Sequence, residues 1–94
     1  MRVEDFIWLP DVIEKLIVKH AVTPEEVEQV FFDRPRYRFH ETGHVEGEDL
    51  YTALGQTEAG RYLTVYFIFK SHNTALVISA RDMDLAEVRR YARK

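Results

Sequence analysis

The stretch Tyr-Leu-Thr-Val-Tyr-Phe-Ile-Phe-Lys, residues 62–70, decides the fold of this 94-residue chain. Aromatic and β-branched side chains fill both of its alternating faces, which is typical of a central strand that is covered by helices. Turn residues 71–73 lead into another strand over residues 74–81, and residues 58–60 supply a hairpin turn on the other side. The pattern therefore predicts that the 62–70 strand lies between antiparallel neighbours.

Three helices are predicted around these strands. The apolar spacing over residues 12–17 predicts a helix that ends near residue 20. Thr23 predicts the start of a second helix, because its side chain can cap that helix while Glu26 closes a capping box. Asp84 and Glu87 have the same spacing and predict a last helix at the C-terminal end.

The remaining segments complete an α+β domain. Residues 6–8 form a short apolar strand, residues 36–40 alternate between cationic and aromatic side chains, and residues 50–56 form a further strand. The predicted order is β-α-α-β-β-β-β-α, with a mainly antiparallel sheet flanked by helices. We expect one domain over residues 1–94, because a chain of this length has no room for two.

Composition excludes several classes of protein. Hydrophobic residues make up 46% of the chain, which is enough for a folded core. The absence of cysteine removes disulfides, thiolate metal sites and cysteine nucleophiles, and it fits a reducing cytoplasm. No apolar run is long enough to span a bilayer, and the first residues do not have the pattern of a signal peptide. We therefore expect a cytoplasmic protein without a membrane segment.

Charge is distributed unevenly along the chain. The net charge of −3 argues mildly against nucleic-acid binding. Residues 34–40 nevertheless carry three arginines and no acid, and residues 84–94 carry Arg89, Arg90, Arg93 and Lys94 against two acids. These two segments are either sites for a polyanion or ordinary solvated surface.

Four motifs, spread over nearly the whole chain, occur in an order that is known from one protein family. They are Phe6-Ile7-Trp8; Lys19-His20-x-Val22-x-x-Glu25-Glu26 followed by Val30-Phe31-Phe32-Asp33; Gly47-Glu48, Leu54-Gly55 and Gly60-Arg61-x-Leu63-x-Val65-x-Phe67; and Ile78-Ser79-Ala80-Arg81 followed by Glu87 and Tyr91. Together they resemble the BrnT family of type II toxins. The resemblance implies a fold related to RelE-type ribonucleases, metal-independent RNA cleavage, inhibition of translation and neutralisation by a BrnA-like antitoxin.

Cleavage of RNA without a metal needs a base, an acid and a cation that stabilises the phosphorane. Arg81 is the leading candidate for the cation, because it ends a strand just before a polar turn and lies in one of the four motifs. The alternative is a salt bridge to Asp82, Asp84 or Glu87.

Two further residues are candidates for catalysis. His20 can act as base or acid near neutral pH, although it can equally be a cation at the negative end of the first helix. Tyr91 in the last helix could stack on an RNA base, and the alternative is that its ring is half-buried beside neighbouring apolar residues.

Four basic residues are predicted to bind RNA. Arg36 and Arg38 share one face of the 36–40 strand with His40, which predicts a track for phosphates. The alternative is an edge strand whose charges prevent aggregation. Lys19 beside His20 and Arg61 at the start of the central strand are expected to add phosphate contacts.

Several alternatives stay open. We predict no metal and no other cofactor, because the histidines and carboxylates over residues 40–48 lack the spacing of a metal site. Aromatic residues in the 62–69 strand could form a homodimer contact or lie under a helix. Residues 49–51 carry no arginine where the family commonly does. The second functional hypothesis is therefore a catalytically inactive relative that binds protein or RNA.

Overall fold

The computed structural model describes residues 1–93, and its elements follow the predicted order. Lys94, which belongs to the C-terminal group of bases, lies outside the described residues. The elements are β1 (Asp5–Ile7), α1 (Pro10–His20), α2 (Pro24–Phe32), β2 (Arg36–Glu41), β3 (Leu50–Gln56), β4 (Tyr62–Lys70), β5 (Thr74–Asp82) and α3 (Leu85–Ala92). The predicted α+β class is confirmed.

The strands form one five-stranded sheet in the order β1-β5-β4-β3-β2. Strands β2 to β5 pair antiparallel, and β4 lies at the centre, as its apolar pattern predicts. Strand β1 pairs parallel with β5, and two helices and three strands lie between them in the sequence. The sheet is therefore mainly antiparallel with one parallel edge.

Helices α1 and α2 pack on one face of the sheet, which we call the helical face. Leu63, Val65 and Phe67 of β4 are fully buried there. The capping box that starts α2 is present, with Glu26 N donating to Thr23 Oγ1 at 3.2 Å and Thr23 N donating to Glu26 Oε1 at 3.0 Å.

Helix α2 approaches β3 very closely. A Cβ atom at Gly55 would lie 2.9 Å from a methyl carbon of Val30, so the contact requires glycine. The absence of a side chain at Gly55 therefore allows α2 to pack directly against β3.

Helix α3 packs on the opposite face and covers only one end of it. We call this the open face; Thr64, Tyr66 and Ile68 of β4 point to it, because they alternate with the residues of the helical face. The ring of Tyr91 packs edge-on against Tyr62 at 5.9 Å. On the helical face the Phe67 ring meets the Phe31 ring of α2 at 5.1 Å, so Tyr62 and Phe67 of β4 both pack against helices. Among residues 1–93 no helix is both long and apolar enough to cross a membrane.

Candidate active site on the open face of the sheet

Strand pairing brings the cations of β2 onto the open face. Arg38 is opposite Thr52 in β3, and Thr52 is opposite Tyr66 in β4. Arg36 and His40 alternate with Arg38 along β2, and the His40 ring meets the Tyr66 ring edge-on at 5.3 Å. Arg36, Arg38 and His40 therefore share the open face of the sheet, as their alternation predicts.

Arg81 reaches the same place from β5. Its Nη2 donates to the Tyr66 hydroxyl oxygen at 2.9 Å. Its guanidinium also donates to both carboxylate oxygens of Glu87, at 2.6 and 2.9 Å, and to the carbonyl of Asp82 at 3.1 Å. Four of the five N–H groups of this guanidinium thus have acceptors, two on each terminal nitrogen. The salt bridge to Glu87, one of the alternatives for Arg81, is present inside the site.

The Arg81–Glu87 pair stays charged at neutral pH. The hydrogen bond from Arg81 lowers the pKa of Glu87. The pKa of Arg81 is raised, chiefly by its bond to Glu87 and then by its bond to Tyr66. Glu87 Oε1 also accepts from the backbone N–H of Asp84 at 2.9 Å, which closes the capping box of α3. One carboxylate therefore holds both the start of α3 and the guanidinium.

Arg90 of α3 completes a cationic depression. Arg36 Nη1 donates to the Arg90 carbonyl oxygen at 3.1 Å, which brings α3 against β2. Two adjoining hollows of about 410 and 340 Å³ both include Arg38, Leu54 and Arg90 in their walls. We call the whole the basic cleft. Its ionisable side chains on the open face are Arg36, Arg38, His40, Tyr66, Arg81, Glu87 and Arg90.

Two cations of the basic cleft have side chains without a hydrogen-bond or ion-pair partner in the part of the chain that the structure describes. Arg38 and Arg90 are exposed, and no ion pair joins either side chain to an acid within residues 1–93. Exposed guanidinium groups without carboxylates are available for the oxygens of a phosphate, which their planar fork matches.

Lys19 and His20 lie away from the basic cleft. Both are in α1, which packs on the helical face, and Lys19 lines a shallow hollow beside the acids Asp11 and Glu14. His20 ends the helix, and its carbonyl oxygen accepts from Arg61 at 3.0 Å. The structure does not bring either residue to Arg81.

Arg61 binds the helical side of the molecule. It donates to the carboxylate of Asp82 at 2.7 and 3.2 Å, to Glu26 at 3.3 Å, and to the carbonyl oxygens of Ala21 at 2.7 Å and His20 at 3.0 Å. The hydrogen bond from Arg61 lowers the pKa of Asp82. Arg61 therefore joins α1, α2 and β5, and it does not share a face with the cations of β2.

Tyr91 is buried where α3 packs on the sheet. The residue is only 3% exposed, and its ring packs against Tyr62. Its aromatic face is therefore closed to an RNA base in this conformation.

Four residues of the basic cleft were not among the predicted catalytic and RNA-binding residues: His40, Tyr66, Glu87 and Arg90. The sequence places His40 on one face with Arg36 and Arg38. Its candidacy as a catalytic residue, however, depends on the ring contact with Tyr66. Tyr66 has no signal of its own in the sequence, because a tyrosine in an apolar strand is normally a packing residue. Strand register alone brings it between His40 and Arg81. Within the described part of the chain no group of three or more His, Asp or Glu side chains could hold a metal ion.

The fold and the site define a small α+β protein with a cationic cleft on one open face of its sheet. A family model described as the ribonuclease toxin BrnT of type II toxin–antitoxin systems matches residues 8–87. The chain therefore belongs to the BrnT family, as its motifs indicate. Membership in a type II toxin family implies a protein antitoxin as partner. A comparison with curated proteins found no match.

Proposed function

We propose that this chain is an endoribonuclease that acts as the toxin of its pair, cleaving RNA in the cytoplasm without a metal ion and so inhibiting translation. Family membership supports the class of activity. The proposed active site is supported by one observation: His40, Tyr66 and the arginines of β2, β5 and α3 lie together in the basic cleft.

His40 is the proposed base. An imidazole can take the proton from a ribose 2′-hydroxyl, and the 2′-oxygen then attacks the adjacent phosphorus. The P–O bond to the 5′-oxygen breaks, which leaves a 2′,3′-cyclic phosphate and a 5′-hydroxyl. His40 is exposed on the open face, so an RNA strand can reach it without any movement of the fold.

Arg38 and Arg90 are the proposed phosphate ligands. Their charges are not neutralised within residues 1–93, so they can stabilise the added negative charge of the phosphorane. Arg36 extends the same track along β2. Arg81 is already bonded to Glu87, and we assign it the task of holding the Tyr66 hydroxyl group in place.

Tyr66 is the proposed acid. Its oxygen accepts from Arg81, so its own O–H proton is available to the leaving 5′-oxygen. The His40 ring meets the Tyr66 ring edge-on at 5.3 Å, which supports the proposal that the two side chains act on the same phosphate.

The test compares the two histidines. Purified protein is incubated with a labelled single-stranded RNA in the presence of EDTA, and the ends of the products are identified. We expect cleavage with EDTA present, a loss of about 100-fold or more in His40→Gln, and little change in His20→Gln. Incorporation of labelled methionine after induction in cells measures translation.

Each outcome decides between hypotheses. Full activity in His40→Gln with loss in His20→Gln would move the base to the end of α1. A folded protein that cleaves no RNA but binds a partner would support the inactive binding module. Cleavage that EDTA abolishes would contradict the metal-independent mechanism.

A further inference from the structure

The open face carries an aliphatic row next to the basic cleft. Ile7 of β1 is in register with Leu76 of β5, Leu76 with Ile68 of β4, and Ile68 with Leu50 of β3. Side chains in register on neighbouring strands share a face. Ile68 is two residues beyond Tyr66, so the row lies on the same face as the cleft and directly beside it.

The aliphatic row is partly exposed. Ile7 is 42% exposed, and Leu50, Ile68 and Leu76 are mostly covered but not fully buried. Helix α3 packs at the other end of β4, over Tyr62, while α1 and α2 lie on the helical face. An aliphatic row across four strands spans about 14 Å, which is close to three turns of a helix.

We propose that the aliphatic row and the basic cleft together form the docking surface for the antitoxin, which binds through an amphipathic segment with aliphatic and acidic side chains. The inference rests on the proposed function, because it takes the partner to be the antitoxin. The aliphatic side of the segment covers the row. Its carboxylates pair with Arg38 and Arg90.

The chemistry of the row favours a protein over RNA. RNA bases stack on aromatic rings and on arginine planes, whereas Ile and Leu side chains gain most by contact with other aliphatic groups. Arg38 and Arg90 near the aliphatic row can form ion pairs with acidic side chains that flank the apolar side of an amphipathic segment. A segment seated on both parts covers His40 and Tyr66 and therefore blocks the cleft.

The experiment separates docking from cleavage. The double variant Ile7→Thr/Ile68→Thr keeps β-branched side chains in both strands and removes aliphatic surface. The matched control is Val18→Thr, an aliphatic residue of α1 that is 75% exposed on the other side of the molecule. The probe is the purified protein encoded by the reading frame beside this gene, titrated by calorimetry. RNA cleavage and the unfolding curve are measured on the same samples.

We expect the double variant to bind the probe about tenfold or more weakly, with RNA cleavage and folding unchanged and with Val18→Thr like the unmodified protein. Cells that carry the double variant should then escape neutralisation. Unchanged affinity, or no complex with the unmodified protein, overturns the proposed docking surface. Equal loss of cleavage would assign the row to RNA instead. Absence of cleavage in the unmodified protein overturns the proposed function, while the calorimetric result still tests docking.

Discussion

The two sides of the sheet use arginine in opposite ways. On the helical side, Arg61 is surrounded by acceptors from α1, α2 and β5, including the carboxylates of Glu26 and Asp82. On the open face, Arg38 and Arg90 have no acidic partner among residues 1–93. Arg81 is intermediate between these two cases. It has an acidic partner, Glu87, but that partner also lines the basic cleft.

From this contrast we expect Arg61 to serve the fold rather than the substrate. Arg61 satisfies carbonyl oxygens at the end of α1 that would otherwise lack donors, so it belongs to the fold. An arginine that meets no acid keeps its charge available for a ligand. The following variants test that division, from the largest expected effect to the smallest.

The largest effect is expected from Tyr66→Phe. The variant removes the proposed acid and one acceptor of Arg81 but keeps the ring against His40. RNA cleavage should fall by about 100-fold, while the free energy of unfolding changes by about 1 kcal/mol or less. Tyr62→Phe on the same strand is the control and should cleave normally. Normal cleavage by Tyr66→Phe would remove Tyr66 from the mechanism.

Arg61→Gln should mainly affect stability. The substitution removes the guanidinium from two carboxylates and two carbonyl oxygens, and both Arg61 and Glu26 are mostly shielded from water. We expect the free energy of unfolding in urea to fall by about 2 kcal/mol. Arg38→Gln, which breaks no ion pair, is the matched control and should change stability by about 0.5 kcal/mol or less. Equal stability of the two variants would contradict the structural role of Arg61.

The salt dependence of RNA binding should divide the same arginines. Each cation that touches a phosphate of a single strand adds about 0.7 to the slope of log affinity against log salt concentration. Arg38→Gln and Arg90→Gln should each reduce that slope by about this amount, and Arg61→Gln should leave it unchanged. A smaller slope in Arg61→Gln would mean that RNA also crosses the helical side.

The smallest effect is a difference in acid stability. Arg61 lowers the pKa of Asp82, so this pair stabilises the folded protein above the ordinary aspartate pKa, about 3.9, and the contribution disappears as pH falls through the lowered value. The gap in unfolding free energy between the unmodified protein and Arg61→Gln should therefore shrink below about pH 4. A gap that stays constant down to pH 2 would contradict this assignment. Because the Asp82 side chain is 65% exposed, solvent keeps the effect small.

The fold was predictable because its signals are local. The capping boxes at Thr23 and Asp84 and the two apolar faces of β4 each depend on residues a few positions apart. The same kind of reasoning identified the shared face of Arg36, Arg38 and His40. Parallel pairing of β1 with β5 has no local signal, because it joins segments about seventy residues apart.

The site was harder to predict because it depends on register. Arg81 was identified through its motif, but its neighbours Tyr66 and His40 come from two other strands. The turn and bulge geometry that sets this register, including the shift after Tyr66, has no clear sequence pattern. His20 lies in a family motif, yet α1 packs on the opposite face of the sheet from Arg81.

The most direct test of the division between the two faces is hydrogen exchange with a single-stranded DNA of the RNA substrate's sequence. This ligand lacks the 2′-hydroxyl and therefore binds without being cleaved. We predict slower exchange in β2, around Tyr66 and Arg81, and in α3, with no change in α1. Protection of α1 around Lys19 and His20, with none in β2 or α3, would contradict the assignment of the open face as the nucleic-acid site.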